Sequence, residues 1–100
     1  MDIKKMMQQA QKMQAKLQEE LANLRMEATA GGGMVTAVVG GNKDLLELRI
    51  EPDVVNSDDV EMLQDLIIAA VNEATRKVDE EVQNRLGGMM GGLGVNLPGM

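Results

Sequence analysis

The chain has 100 residues, which suggests one domain, and it contains no histidine, cysteine, tryptophan, tyrosine or phenylalanine. Without histidine and cysteine it lacks the commonest general base, the thiol nucleophile and the usual zinc ligands, which disfavours an enzyme or a metal protein. The formal net charge of −6 disfavours a general nucleic-acid coat. However, residues 1–25 hold five basic and three acidic side chains, whereas the remainder holds five basic and thirteen acidic ones, so the sequence permits a local basic patch.

The chain carries no apolar signal core near its first residues and no apolar run long enough to span a bilayer. We therefore expect a cytoplasmic protein without a membrane partner. Because aromatic side chains supply much of the buried area in small domains, and none is present, we also expect extra burial through self-association.

Residues 3–25 are predicted to form an amphipathic helix, since the segment lacks glycine and proline and its apolar residues recur at steps of three and four. This apolar stripe consists of Ile3, Met6, Ala10, Met13, Leu17, Leu21 and Leu24. Lys5, Lys12 and Lys16 share another face, roughly 120° away at about 100° per residue. That face is either an ordinary solvated surface or a phosphate-contacting surface, and the pattern alone leaves both open.

Three strands follow, with the sequences RMEATA, MVTAVV and LLELRI, each short and alternating or β-branched. The connections at 31–33 and 40–44 are short, which predicts an antiparallel meander. A phosphate-binding loop needs a helix directly after its glycines, whereas GGGMVTAVV leads into a strand. We therefore interpret the glycines as turn residues that allow positive φ.

A second helix is predicted from Asp58, as the N-cap with Glu61 as its capping-box partner, to about Leu86. The acids at its start lack the ligand order of a calcium loop and are explained by the helix dipole, so no metal site is predicted. Residues 1–86 are thus expected to form the domain. Residues 87–100 are expected to be a flexible Gly/Met-rich tail or a sticky partner motif.

These elements predict an α+β fold in which a helix, a three-stranded antiparallel meander and a second helix follow one another. The first helix would be roughly 34 Å long and the sheet about 20 Å along its strands, so apolar side chains would overhang the sheet. An exposed apolar overhang is typical of an interface, which predicts a homodimer, intertwined or joined through its sheets, with protruding helices. The expected interface residues are Ile3, Met6, Met7, Met13, Leu63, Ile67 and Val71.

Five segments occur in a specific order along the chain, namely MMQQAQKMQAKLQEEL, GGGMVTAVVGG, LRIEPDVV, DDVEMLQDLIIAAVNEA and GGLGVNLPGM. In this order the chain resembles the YbaB/EbfC family of small bacterial nucleoid-associated proteins, over nearly its whole length. The resemblance implies a tweezer-like homodimer that binds DNA through protruding helices, associates with the nucleoid, affects nucleoid organisation or gene expression, and has neither cofactor nor enzymatic activity. The basic positions that it implies for DNA contact are Lys4, Lys5, Lys12 and Lys16.

From the residues themselves we expect weak, salt-sensitive binding to duplex DNA through lysine–phosphate contacts. Because the chain has no aromatic side chain, base stacking of the kind used by single-strand binders is not available. The alternative is a dimeric protein–protein adaptor that uses its Met-rich helix and tail, since methionine suits adaptable apolar surfaces. Neither function involves a cofactor or a small-molecule substrate.

Overall fold

In the computed structural model the chain forms an elongated α+β fold that measures 68 × 27 × 16 Å. The structure describes residues 2–92, with side chains up to residue 88. The elements in chain order are α1 (Ile3–Asn23), β1 (Arg25–Ala30), β2 (Val35–Gly40), β3 (Leu45–Ile50), a short 3₁₀ turn (Pro52–Val54) and α2 (Val60–Gly92). The predicted order of helix, antiparallel meander and helix is confirmed.

The sheet has the order β1-β2-β3, with both pairs antiparallel. Arg25 pairs with Gly40 and so belongs to β1, which is why α1 ends at Asn23, before the predicted residue 25. The predicted turn role of the first glycines is confirmed, since Gly31, Gly32 and Gly33 have φ of 64°, 68° and 96°. Glycine adopts such values without the steric cost that a Cβ atom adds, which allows these three residues to close the β1–β2 hairpin.

The core lies between α2 and one face of the sheet, mainly over β1 and β2. It is built from small and β-branched side chains, namely Leu24, Ala28, Val35, Ala37, Val39, Ala70, Ala74 and Val78. The alanines let α2 approach the sheet closely, because large side chains would hold the two layers apart. α2 leaves β3 largely uncovered, so Leu45, Leu46 and Leu48 remain 48%, 48% and 37% exposed.

The opposite face of the sheet is closed by charged side chains of the chain itself. Val38 of β2 is buried although it points away from α2. Arg49 of β3 forms ion pairs with Glu27 of β1 and with Glu47, and Arg25 pairs with Glu47 at 3.4 Å. These side chains come from β1 and β3 and therefore cross over β2, which shields Val38 without help from a second helix.

The residue that caps the start of α2 is not the predicted one. The Asp59 carboxylate accepts a hydrogen bond from the Met62 N–H at 3.1 Å, whereas the Asp58 N–H donates to the Asn56 side chain at 3.0 Å. The prediction of an Asp58 cap with Glu61 was therefore wrong. The reason is a local turn at Asn56, of the kind that asparagine side chains form with the backbone two residues on, which places Asp58 before the helix.

The far end of α2 also differs from the prediction. The helix continues to Gly92 and does not stop near Leu86, so the predicted tail begins inside the helix. The remaining part of that tail, residues 93–100, lies outside the described residues.

Candidate nucleic-acid interface

α1 is a helix that projects from the body and carries the candidate lysines. Its N-cap is Asp2, whose carboxylate accepts a hydrogen bond of 3.1 Å from the Lys4 N–H. None of its residues is buried, and its last turn and Leu24 contact the body at the sheet end formed by Gly40 and Gly41. The 21-residue helix is about 31 Å long at 1.5 Å per residue, so most of its length stands clear of the sheet.

The four candidate lysines are all exposed on this projecting helix. Lys5, Lys12 and Lys16 fall within about 40° of one another around the helix axis, and Lys4 lies about 100° away. Along the axis, Lys5 and Lys12 are about 10 Å apart, and Lys12 and Lys16 about 6 Å apart. Such a row of separate ammonium groups can reach several phosphates of one nucleic-acid backbone.

Basic side chains in the body are already engaged. Lys43 lies 2.7 Å from Asp79, Arg85 pairs with Glu81 and Glu20, and Lys77 donates a hydrogen bond of 2.9 Å to the Glu27 backbone carbonyl. Arg25 and Arg49 form the sheet-face pairs described above. Each of these bases therefore has a partner within the chain.

Arg76 is the most firmly engaged of these bases. It is hydrogen-bonded to Glu73 and also forms an ion pair with Glu80. The Glu73 hydrogen bond is the main reason that the pKa of Arg76 is raised, and the same hydrogen bond holds the pKa of Glu73 below its ordinary value. Arg76 is therefore poorly placed to contact an external phosphate.

The α1 lysines differ from these bases in lacking a carboxylate partner among the described side chains. Among the side chains that the structure describes, none of Lys4, Lys5, Lys12 and Lys16 forms an ion pair within 4.0 Å. A projecting helix with unpartnered cations presents positive charge to an anion without first breaking an internal pair. This distinction could not be read from the sequence, since it depends on which acids the fold brings near each base.

Negative charge collects at the other end of the molecule. Residues 50–75 include Glu51, Asp53, Asp58, Asp59, Glu61, Asp65 and Glu73 and no basic residue. β3 ends at Ile50, which pairs with Val35 at the hairpin end of the sheet, and Leu66 of α2 lies against Gly31 there. α1 joins the opposite end of the sheet, so the acidic end faces away from the lysines.

The seven predicted interface residues fall into two groups. Ile3, Met6, Met7 and Met13 of α1 are 71%, 53%, 59% and 41% exposed in the single chain. Leu63, Ile67 and Val71 of α2 are half-buried and pack on the core. The sequence reasoning missed the exposed leucines of β3 and the 57% exposed Ile68 of α2. The leucines of β3 could have been found from the leucine-rich sequence of this edge strand.

Neither a metal-binding cluster nor a membrane-spanning helix occurs in the described part of the chain. No group of three or more histidine, cysteine, aspartate or glutamate side chains within it could hold a metal ion. Within the same residues, no helix has the length and apolar character needed to cross a membrane. The concavities on α1 are open grooves, such as the one lined by Gln8, Gln11, Lys12 and Ala15.

Known proteins match this chain over nearly its full length. The YbaB/EbfC DNA-binding family matches residues 1–93. A nucleoid-associated protein of Koribacter versatilis is 52% identical over 98 residues, which span 98% of this chain and 95% of that protein. One of Acetivibrio thermocellus is 54% identical over 102 residues, which span 99% and 89% of the two chains.

A solved structure extends the likeness to the fold. The crystal structure of an uncharacterized protein from Helicobacter pylori matches with a TM-score of 0.76 and 25% sequence identity, covering 90% of this chain and 98% of that one. The resemblance seen in the five sequence segments is thereby confirmed over nearly the full length. The chain belongs to the YbaB/EbfC DNA-binding family, the family of its nucleoid-associated relatives, and this membership indicates a DNA-binding protein and not an enzyme.

Proposed function

We propose that this protein binds duplex DNA as a homodimer, through phosphate contacts from Lys4, Lys5, Lys12 and Lys16 of each α1. The observation that carries the proposal is the contrast in pairing: the body bases are engaged internally, whereas the α1 lysines have no carboxylate partner among the described side chains. Lysine–phosphate contacts release condensed counterions and so give affinity that does not depend on base sequence.

Two apolar surfaces support the homodimer. One is the α1 stripe, with Ile3 and Met7 largely exposed. The other lies along β3, an edge strand whose leucines are not covered by α2. Exposed apolar patches and unpaired strand edges are both typical of interfaces, and a closed two-fold arrangement would cover both at once. Leu63, Ile67 and Val71, on the helix above the sheet, would join this interface through their remaining exposed surface.

The charge distribution supports an orientation on DNA. The acidic end of each body lies at the sheet end remote from α1. Repulsion between these acids and the DNA phosphates would therefore keep the body away from the duplex while α1 contacts it. Residues 1–86 would carry the DNA-binding and dimer contacts, and the continuation of α2 from residue 87 to Gly92 would lie outside them. The relatives named as nucleoid-associated proteins support action in the cytoplasm, at the nucleoid, on DNA organisation or gene expression.

The decisive experiment is a fluorescence-anisotropy titration of labelled duplex DNA at two salt concentrations. A dimer offers eight α1 lysines; if about half engage, affinity should fall ~10³-fold between about 25 mM and about 200 mM salt. The variant Lys5→Gln/Lys12→Gln/Lys16→Gln should lose binding while remaining a dimer by light scattering. A charge-matched control, Lys43→Gln/Arg49→Gln/Arg76→Gln, should retain most of the affinity because those bases are already paired.

The same titration separates DNA binding from the protein-adaptor alternative, which the exposed methionines of α1 favour. Apolar protein contacts weaken little with salt, whereas phosphate contacts weaken steeply. An intact dimer that fails to bind DNA at the lower salt would replace the DNA proposal with the adaptor. Equal loss in the two triple variants would remove the α1 lysines from the proposal.

A further inference from the structure

The direction in which α1 leaves the body is set at its last turn. The Leu24 N–H donates to the Leu21 carbonyl at 3.3 Å, and the Gly41 N–H donates to the Leu24 carbonyl at 3.2 Å. Leu24 is buried in the core, whereas no residue within α1 is buried. The turn after β2 is therefore the support from which the helix projects.

Gly41 touches the backbone of α1 with no space for a side chain. A Cβ atom at this position would lie 2.8 Å from the Leu21 Cα and 2.9 Å from the Leu21 carbonyl carbon, and closer still to the carbonyl oxygen. These are backbone atoms, which cannot rotate aside as a side chain can. Relief to ordinary van der Waals separation would need a displacement of about 1 Å between the turn and the helix.

The neighbouring glycine provides a contrast. A Cβ atom on Gly40 would meet the Leu46 Cδ1 at 3.1 Å, which is the end of a flexible side chain. Neither Gly40 nor Gly41 is among the glycines with positive φ. The backbone conformation at both positions therefore accepts alanine, and only contacts of the added Cβ atom oppose the substitution. A comparison of Gly41→Ala with Gly40→Ala therefore distinguishes the effect of displacing α1 from the effect of replacing a glycine in this turn.

We infer that Gly41 is a positioning residue that fixes the direction of α1 and, through it, the placement of the DNA-contacting lysines; this rests on the proposed function. The helix acts as a lever, because Gln8 lies about 20 Å along the axis from Leu21. If α1 tilts to relieve the clash at Leu21, Lys12 and Lys5 are displaced further than the contact itself, because they lie farther along the axis. In a dimer, such a shift changes the spacing of the two lysine rows and prevents both from engaging one duplex.

The direction of α1 is measured by pulsed electron paramagnetic resonance between two spin labels. Because the chain has no cysteine, Gln8→Cys and Gln64→Cys place one label on α1 and one on the exposed side of α2. When the labelled protein is mixed with an excess of unlabelled protein, the measured distance is the one between two labels on the same chain, whether or not the protein dimerises. The wild-type distribution should be narrow; Gly41→Ala should shift or broaden it, and Gly40→Ala should leave it unchanged.

The consequence for DNA is measured with the unlabelled variants. Gly41→Ala should lower the affinity at least tenfold, because two linked sites gain that much or more from simultaneous engagement. Its slope of log affinity against log salt should fall by about half, since one lysine row contacts the duplex where two did. Gly40→Ala should stay within about twofold of the wild type and keep its slope.

The outcomes distinguish this inference from the proposed function. Failure of the wild-type dimer to bind DNA overturns the proposed function and, with it, the role of Gly41 in DNA contact. Wild-type binding with unaltered distance or affinity in Gly41→Ala overturns the inference alone. A broad wild-type distance distribution also overturns it, because α1 would then have no fixed direction, and this measurement stands even where Gly41→Ala does not fold.

Discussion

Arg85 of α2 and Glu20 of α1 form an ion pair across the base of the projecting helix, with Nη1 and Oε2 3.9 Å apart. Arg85 is held in place by a second pair within α2, to Glu81, at 3.0 Å. The Glu20 pair links the two helices in the last turn of α1, next to the contact of Leu21 with Gly41. It is therefore a second restraint on the direction of α1, beside the contact at Gly41.

Arg85→Gln should loosen α1 with little effect on the fold. Both side chains of the pair are about one-third exposed, and pairs of this kind contribute ~0–1 kcal/mol to stability. Urea denaturation should show a change within that range, while the spin-label distance between positions 8 and 64 should broaden. Arg76→Gln is the control. Among the described side chains the ion pairs of Arg76 lie within α2, so this variant should leave the distance unaltered. Equal broadening in both variants would contradict the assignment.

Leu48→Lys should weaken the dimer. Leu48 is 37% exposed on the uncovered edge strand β3, where a buried ammonium group without a partner is strongly unfavourable. Light scattering at low micromolar protein should report monomer or unfolded chain. Val55→Lys is the control, since Val55 is 61% exposed in the loop beyond the sheet and should leave the mass unchanged. A dimer of unaltered stability in Leu48→Lys would exclude β3 from the interface.

Asp59→Ala should destabilise the protein by about 1 kcal/mol, the usual cost of losing an N-cap. Its carboxylate accepts the Met62 N–H, which has no other partner in the first turn of α2. Asp58→Ala should cost much less, because only the backbone of Asp58 takes part in the Asn56 turn. The urea midpoints of the two variants measure these losses of stability. A larger loss in Asp58→Ala than in Asp59→Ala would show that Asp58 is the N-cap, as expected from the sequence.

The pKa of Glu73 should depend on Arg76. The hydrogen bond from Arg76 is the main cause that holds the Glu73 pKa below its ordinary value, so the charged carboxylate is favoured in the folded state. Its stabilising contribution is present above the unfolded pKa and is lost as the pH falls through the lower folded pKa. Carboxyl NMR titration should therefore find a higher Glu73 pKa in Arg76→Gln than in the wild type. An unchanged value would show that the hydrogen bond does not persist in solution.

Local signals in the sequence determined the elements and much of the candidate site. The period of Ile3, Met6, Met13 and Leu17 predicted α1, and the same arithmetic placed Lys5, Lys12 and Lys16 on one face. The strand patterns and glycine turns predicted the meander because each of these signals is contained within a few neighbouring residues. The charge asymmetry between the first 25 residues and the rest was likewise a property of the sequence alone.

Only the tertiary structure decided which charges remain available and what directs the helix that carries them. Lys43 and Asp79, or Arg49 and Glu27, are far apart in sequence, and the fold alone brings them into contact. The capping of α2 by Asp59 and its continuation past Leu86 also differed from the sequence prediction, because a local turn at Asn56 places Asp58 before the helix and the glycines after Leu86 do not end it. The contact of Gly41 with Leu21 has no sequence signature, since a close approach of two backbones depends on how a turn and a distant helix pack in space.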